Sequence, residues 1–339
     1  MKKFFENLKV VNKLKFFGPI ALAIILVGII LMSTIGMNVG LDFAGGAKID
    51  IDLEQYTDLR EDQKGTILDI VNQVIEDNGF TSSNSERWSE VGVEIGLKYY
   101  IDGNQIDVSN DDQKQAFIDE IQKDGGLLTK IQDALEQHIN DDSYEISITV
   151  RIVDASTALN LLKNTIWATV VAIIVMLIYI MIRFTPSSAV VAIIALMHDV
   201  LIMLSLTTIF RVQINTTFIA AIITIIGYSV NATIVIFDRI RTLKGMASMQ
   251  GASDTELADK AVRGTLNRTI ITTITTFATI AILAIVCSIM GIATMEEFAL
   301  PIIFGLIAGT YSSVLLACPL WVYVNKFFNF VKGKLNKQN

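Results

Sequence analysis

Six apolar runs alternate with polar stretches along the chain: about Phe16–Gly36, Thr165–Ile182, Ser188–Phe210, Asn215–Phe237, Thr269–Met290 and Phe298–Val322. A helix needs ~20 apolar residues to cross the hydrocarbon of a bilayer, so the pattern predicts six transmembrane helices. The first run is too long for a signal-peptide core and lacks a small-residue cleavage site, so it is read as retained. Between runs one and two the period changes. Ala47, Ile49, Ile51 and Leu53 alternate with Lys48, Asp50, Asp52 and Glu54, the pattern of a half-buried strand. Val91, Val93, Ile95 and Leu97 repeat it, and Tyr144, Ile146, Ile148, Val150 and Ile152 alternate with Glu145, Ser147, Thr149 and Arg151. Ile67, Ile70, Val71, Val74 and Ile75 follow helical spacing, as do the stretches Gln113–Lys123 and Leu127–Ile139, which are separated by Gly125-Gly126. A small antiparallel sheet with helices packed on one face is the economical assembly. The expected fold is a membrane α-helical bundle of six spans with one extracytoplasmic α+β domain, ferredoxin-like in kind.

Charge orients this arrangement. Lys2, Lys3, Lys9, Lys13 and Lys15 precede the first span; Arg239, Arg241, Lys244, Lys260, Arg263 and Arg268 lie between the fourth and fifth; Lys326, Lys332, Lys334 and Lys337 end the chain. The short outer connections hold only Arg211 and Met295-Glu-Glu297, so the positive-inside rule makes both termini cytoplasmic. The chain divides into a basic N-terminus (1–15), a first span (16–36), the outer domain (37–163) and spans two to four (165–237). A connector with an amphipathic helix (238–268), spans five and six (269–322) and a basic tail (323–339) complete it. Residues 37–163 hold 26 acidic against 10 basic residues, which leaves 8 against 17 elsewhere. So acidic a surface is soluble, repels anionic headgroups and excludes nucleic acid as a partner.

Chemistry is sparse in the outer domain. No nucleophile–base pair, phosphate loop or paired-acid signature stands out, so it is read as a binding or mechanical part and not an enzyme. His138 and His198 are the only histidines and fall on opposite sides of the topology, so no metal or cofactor site is expected. Cys287 and Cys318 fall at opposite membrane faces, too far apart for a disulfide.

Polar residues inside the spans are the better signal, because hydrocarbon penalises them unless they meet protein or water. Tyr228, Ser229, Asn231 and Thr233 lie at membrane depth in the fourth run, which leaves the lipid at Asp238-Arg-Ile-Arg241. The third run contains Asp199 beside His198; neighbours on a helix point about 100° apart, so the two need not pair. The acid must be protonated or meet a donor from another helix. In the fifth run Arg268, Thr272, Thr275 and Thr279 share one face, with Thr269, Thr273 and Thr276 beside it. Threonine can bond its own preceding turn, so the arginine at the head of the stripe is the stronger feature. Ser253-Asp-Thr-Glu256 is a capping box that opens a short helix, expected along the membrane surface. Gly305, Gly309 and Ser313 form a close-packing face in the sixth run. Gly40, Gly45 and Gly46 permit a sharp turn where the chain enters the outer domain.

Leu41-Asp-Phe-Ala-Gly-Gly46 after the first span, Met197-His-Asp-Val200 in the third, Gly227-Tyr-Ser229 with Phe237-Asp-Arg-Ile-Arg241 in the fourth, and Gly309-Thr-Tyr-Ser-Ser313 in the last resemble the SecF family of protein-export membrane proteins. The resemblance covers the whole chain in the same order. It implies a multi-pass subunit of the bacterial plasma membrane that pairs with SecD beside the SecYEG channel, with YajC as an associated protein. After the ATPase SecA has pushed a preprotein, the pair would use the proton gradient to finish export, the outer domains holding and releasing the translocating preprotein. It implies a proton relay or coupling set of Asp199, His198, Asn231, Arg268, Thr272, Asp238 and Arg239. It also implies a hinge at Asp42, Gly45 and Gly46.

The chain departs from the family at one telling position. Asn231-Ala232-Thr233 stands where the family has Asn-Asp-Thr, and that aspartate is the carboxylate tied to proton conduction. Arg241-Thr-Leu243 replaces the usual Arg-Glu-Asn, and the outer domain is longer than the family's. Three explanations stand for Ala232: SecD supplies the acid, which is the preferred one; Asp199 takes over; or the copy is weakly coupled. Two other functions are compatible with the sequence, a small-molecule or lipid exporter of the same superfamily and a non-transporting membrane scaffold.

Overall fold

A computed structural model describes residues 11, 14–53, 61–83, 87–88, 92–101, 104–106, 110–139, 146–290 and 292–335. Lys2, Lys3, Lys9, Lys13, Glu54, Val91, Tyr144, Glu145 and Lys337, named above, lie outside the described residues. Six helices among the described residues are long and apolar enough to cross a membrane. They are α1 (Leu14–Thr34), α6 (Ala155–Arg183), α7 (Pro186–Ile209), α8 (Thr216–Lys244), α9 (Asp254–Ile289) and a sixth in three parts. That sixth runs through α10 (Ala293–Tyr311), a π-helical segment (Ser312–Ala317) and α11 (Cys318–Leu335).

Local chemistry sets the boundaries. Pro186 occupies the first turn of α7, where its missing N–H costs nothing, and so closes the α6–α7 hairpin. Asn215 caps α8 by accepting from the Phe218 N–H at 3.1 Å. Ser253 caps α9, accepting from the Glu256 N–H at 3.2 Å, which is the N-cap half of the expected capping box. Beyond that cap the chain departs from expectation. No separate surface helix forms: α9 continues unbroken for 36 residues into the fifth span. No proline interrupts it, and Leu257, Ala258, Ala261, Val262 and Leu266 are buried in the bundle core instead of lying on headgroups. Similarly, α6 begins well before its apolar run, because hydropathy marks where lipid starts and not where a helix does.

Small residues decide how closely the helices approach. A Cβ on Gly28 of α1 would overlap the Ser205 side chain of α7, and one on Gly305 of α10 would stand 2.5 Å from Ile225 Cγ1 of α8. Gly305→Leu is therefore expected to force α8 and α10 apart and destabilise the protein by ~1–3 kcal/mol. A lower melting temperature in detergent would register this, whereas an unchanged one would mean that the helices separate freely. Only 6% of the apolar window of α6, and 6% of that of α9, is buried within the chain. Those faces meet lipid or another protein.

The α+β domain between α1 and α6 is built from β1 (Gly46–Asp52), α3 (Glu61–Asp77), β2 (Phe80–Ser82), β3 (Arg87–Trp88), β4 (Gly92–Ile101), β5 (Asn104–Gln105), α4 (Asp111–Gln122), α5 (Leu127–Ile139) and β6 (Ser147–Val153), and comes after a short helix, α2 (Leu41–Ala44). The strands pair antiparallel in the order β2-β4-β1-β6, with Ile49 opposite Ile95 on one side and Val150 on the other. The inward residues of β1 and β4 share one core with Ile67, Val71 and Ile75 of α3, Phe117 and Ile121 of α4, and Ile131 and Leu135 of α5. The alternation read from the sequence is thus the pleat of this sheet. Its outer face is ionic: Arg151 donates to Asp50 at 2.7 and 3.0 Å and to Glu94 at 2.9 Å. The Asp50 carboxylate raises the guanidinium above its ordinary value, but such exposed pairs contribute at most ~1 kcal/mol.

Candidate functional site

Asp199, in the interior of α7, is 0% exposed. Its carboxylate collects donors from two other parts of the bundle, as a buried acid requires. Ser229 of α8 donates to Oδ2, and Ser312, the first residue of the π segment, donates to the same oxygen at 2.9 Å. Gly309 makes this possible: its ideal Cβ position is only 3.1 Å from Ser229 Cβ, so a larger residue would hold Ser312 away. His198 does pair with its neighbour, Nδ1 lying 2.9 Å from Asp199 Oδ1, while its Nε2 lies 2.8 Å from the Tyr311 hydroxyl. When the carboxylate is ionised it only accepts, and Nδ1 is then the donor; in that neutral tautomer Nε2 accepts from Tyr311.

A second cluster opens on the outside of the bundle. Tyr228, Asn231, Ala232, Val235, Arg268, Thr269, Thr272 and Thr273 line a cleft of about 60 Å³ between α8 and α9. Asn231, Arg268 and Thr272 are exposed and Ala232 is half-buried. Arg268 therefore stands at the level of Ala232, nearly two helical turns before the polar end of α8 at Asp238. Among the described residues it forms no ion pair. The threonine stripe is largely self-satisfied: Thr272 donates to the Arg268 carbonyl at 2.9 Å, and Thr275, Thr276 and Thr279 likewise bond the preceding turn. Thr273 is different, accepting from the Tyr228 hydroxyl at 3.0 Å and lying 3.1 Å from Thr310 Oγ1. Thr310 precedes Tyr311 and Ser312, so α10 joins the cleft to the Asp199 cluster.

The remaining expected residues lie elsewhere. Asp238 faces Arg183 across 3.7 Å at the end of α6. Arg239 packs on Gly264 of α9, where a Cβ would stand 3.2 Å from its Nε, and that Nε has no hydrogen-bond partner among the described residues. Asp42 accepts from Thr216 Oγ1 at 3.0 Å, at the start of α8, and lies 3.6 Å from Lys48 Nζ of β1. Gly45 ends α2 with φ +73°, and Gly46 opens β1 with φ +145°. This junction is fastened to the α7–α8 loop. The Gly40 N–H donates to the Ile214 carbonyl at 2.9 Å, the Ile214 N–H to that of Asn38 at 2.8 Å, and Arg211 to that of Gly36 at 2.8 Å.

Sequence reasoning marks Ser229 as polar at depth but gives it no partner, and it quotes Thr310, Tyr311 and Ser312 only within a family motif, with no role in the site. The available signal was the run of hydroxyl side chains at Gly309-Thr-Tyr-Ser-Ser313 in an otherwise apolar span.

Comparison with known proteins gives concordant matches. The family described as "Protein export membrane protein SecD/SecF, C-terminal" matches residues 131–327. The protein translocase subunit SecF of Petrotoga mobilis is 30% identical over 93% of this chain and 95% of its own length. The protein translocase subunit SecDF of Bacillus subtilis is 27% identical over 94% of this chain, which spans 38% of that longer protein. The crystal structure of SecDF from Thermus, a translocon-associated membrane protein, superposes with a TM-score of 0.68 at 22% identity, covering 94% of this chain and 39% of that one. That superposition shows a shared fold.

Proposed function

Because the chain belongs to the SecD/SecF family of protein-export membrane proteins, we propose that it is an accessory subunit of the bacterial Sec translocase which, with SecD, uses the proton motive force to complete preprotein translocation after the ATP-driven step of SecA. Its partners on this reading are SecD, the SecYEG channel, the translocating preprotein and YajC, and its role is transport and not enzymatic turnover. It sits in the plasma membrane with both termini in the cytoplasm. SecD and SecF occur in one polypeptide in the SecDF relative, which supports association with SecD. The strand order β2-β4-β1-β6, with helices on one face, supports a ferredoxin-like outer domain.

One observation favours an intermolecular proton site: Arg268 lines an outward-facing cleft in which the family's carboxylate position is Ala232. An unpaired arginine costs ~2.5–3.5 kcal/mol at the centre of a span on insertion scales, and less near the end of one, where Arg268 stands. A carboxylate from the matching SecD helix would offset that charge, with Asn231 and Tyr228 as hydrogen-bonding neighbours. Asp238 and Arg239 would mark the cytoplasmic mouth of this seam. Asp42, Gly45 and Gly46 would form the joint that passes movement of α8 to β1, since Asp42 touches both.

The test is proton-gradient-driven completion of preprotein export in vesicles holding SecYEG and SecD. The gradient should accelerate export only when this chain is present; equal acceleration without it would sink the reading. Ala232→Asp should change that rate by less than about twofold, because the acid already comes from SecD. A strong rise would mean instead that the native path lacks its acid.

A further inference from the structure

Two motifs 113 residues apart in the chain meet at Asp199, and the meeting point is where the sixth span changes its helical type. We infer that Asp199 is a proton-holding site in its own right, and that Ser312 converts its protonation into a change at the α10–α11 joint. The inference rests on reading the chain as proton-driven, and it assigns a place within the chain for the proton.

Ser312 has one hydroxyl hydrogen and two acceptors within reach: Asp199 Oδ2 at 2.9 Å and the Gly309 carbonyl at 3.3 Å. While Asp199 is ionised, the hydrogen belongs to the carboxylate, which is the stronger acceptor. A proton on Oδ2 reverses the contact. The acid then donates to Ser312 Oγ, and the serine hydrogen turns to the Gly309 carbonyl. That carbonyl lies in the last turn of α10, immediately before the π segment Ser312–Ala317. A hydroxyl bonded to the preceding turn bends a helix, and single-turn π insertions are where helices yield. The proton thus moves one hydrogen bond from between helices to within one helix, at its weakest turn.

The surroundings suit this role. From α7 itself the facing titratable group is His198; from α10 it is Tyr311, hydrogen-bonded to His198 Nε2. α8 faces Asp199 with the neutral Ser229, and its charged groups Asp238 and Arg239 begin two and a half turns further on. α1, packed on α7, has no acid or base between Phe17 and Thr34. His198 is thus the titratable group that touches the carboxylate, and it holds Oδ1, which leaves Oδ2, between Ser229 and Ser312, as the oxygen that takes the proton on acidification.

The experiment uses the full chain with SecD in lipid vesicles, read by infrared difference spectroscopy on acidification and by spin-label distance between Ile194 of α7 and Tyr323 of α11, both exposed. Labelling is done with Cys287 and Cys318 replaced by alanine. Acidification should produce a protonated-carboxyl band, to which the surface acids also contribute, and a change in distance. Asp199→Asn should lose Asp199's share of the band and the whole distance change. Ser312→Ala should keep the band, displaced in frequency, and lose the distance change; Ser312→Thr should restore it. Ser313→Ala, whose hydroxyl donates to the Thr310 carbonyl and not to Asp199, should behave as native. A band that is identical in native protein and Asp199→Asn, or a distance change that persists in Ser312→Ala, overturns the inference. Neither readout requires export. A band and movement without gradient-driven export would remove the proposed function and leave the proton site standing.

Discussion

Arg268→Ala is expected to lower proton-gradient-driven export at least about tenfold while the chain still inserts into the membrane. The arginine lines the cleft beside Ala232 and is exposed on the bundle surface near the start of the fifth span. Removing it makes α9 more apolar, so insertion is if anything easier. What is lost is the positive charge that would hold a partner carboxylate ionised. Leaving one member of a buried ion pair uncompensated costs ~3–5 kcal/mol, and each ~1.4 kcal/mol is a factor of ten. Arg268→Lys keeps a charge but not the planar fork, and should fall between native and alanine. Export assayed in vesicles with SecD and SecYEG gives the answer. If Arg268→Ala exports at the native rate, the cleft has no part in coupling.

Gly46→Val is expected to damage the outer domain itself. Gly46 has φ +145°, a conformation that side chains other than glycine rarely adopt. A Cβ there would overlap the Leu97 carbonyl oxygen of β4 and lie 2.8 Å from Leu41 Cδ2. Backbone strain of ~1–3 kcal/mol and an overpacking cost of ~1–3 kcal/mol fall on the same residue. Because Gly46 also pairs with Val153 of β6, the damage lies at the entry to the central strand. Limited proteolysis from the outer side should cut Gly46→Val in this domain under conditions that spare the native protein. Equal resistance would show that the strand entry can rearrange, and would favour a flexible joint at Gly45 and Gly46. Transmission through Asp42 would then matter more than the glycines.

Much of the fold was legible because membranes and sheets impose short periods. Twenty apolar residues name a span, and alternation at Ala47–Leu53 names a strand, whatever surrounds them. The capping box at Ser253 was legible for the same reason, its chemistry being confined to four residues. Continuity failed to show. The connector helix and the fifth span are one helix, because burial of Leu257, Ala261 and Val262 against the bundle depends on neighbours far away in the chain. Within the candidate site, Arg268 and Ala232 could be singled out from type and position, but their shared cleft could not.

The sequence by itself determined that this is a six-span membrane protein with an acidic α+β domain. Those conclusions need only local composition and period, since lipid and water sort residues by the same rule in any fold. Only the tertiary structure decided which polar groups meet. It set Ser229, Ser312 and His198 around Asp199, linked Tyr311 to His198, and left Arg268 exposed on the outside of the bundle. Hydrogen bonds between spans are fixed by how closely Gly28, Gly305 and Gly309 let helices approach and by the rotation each helix then adopts. No periodicity along one strand of sequence encodes that rotation.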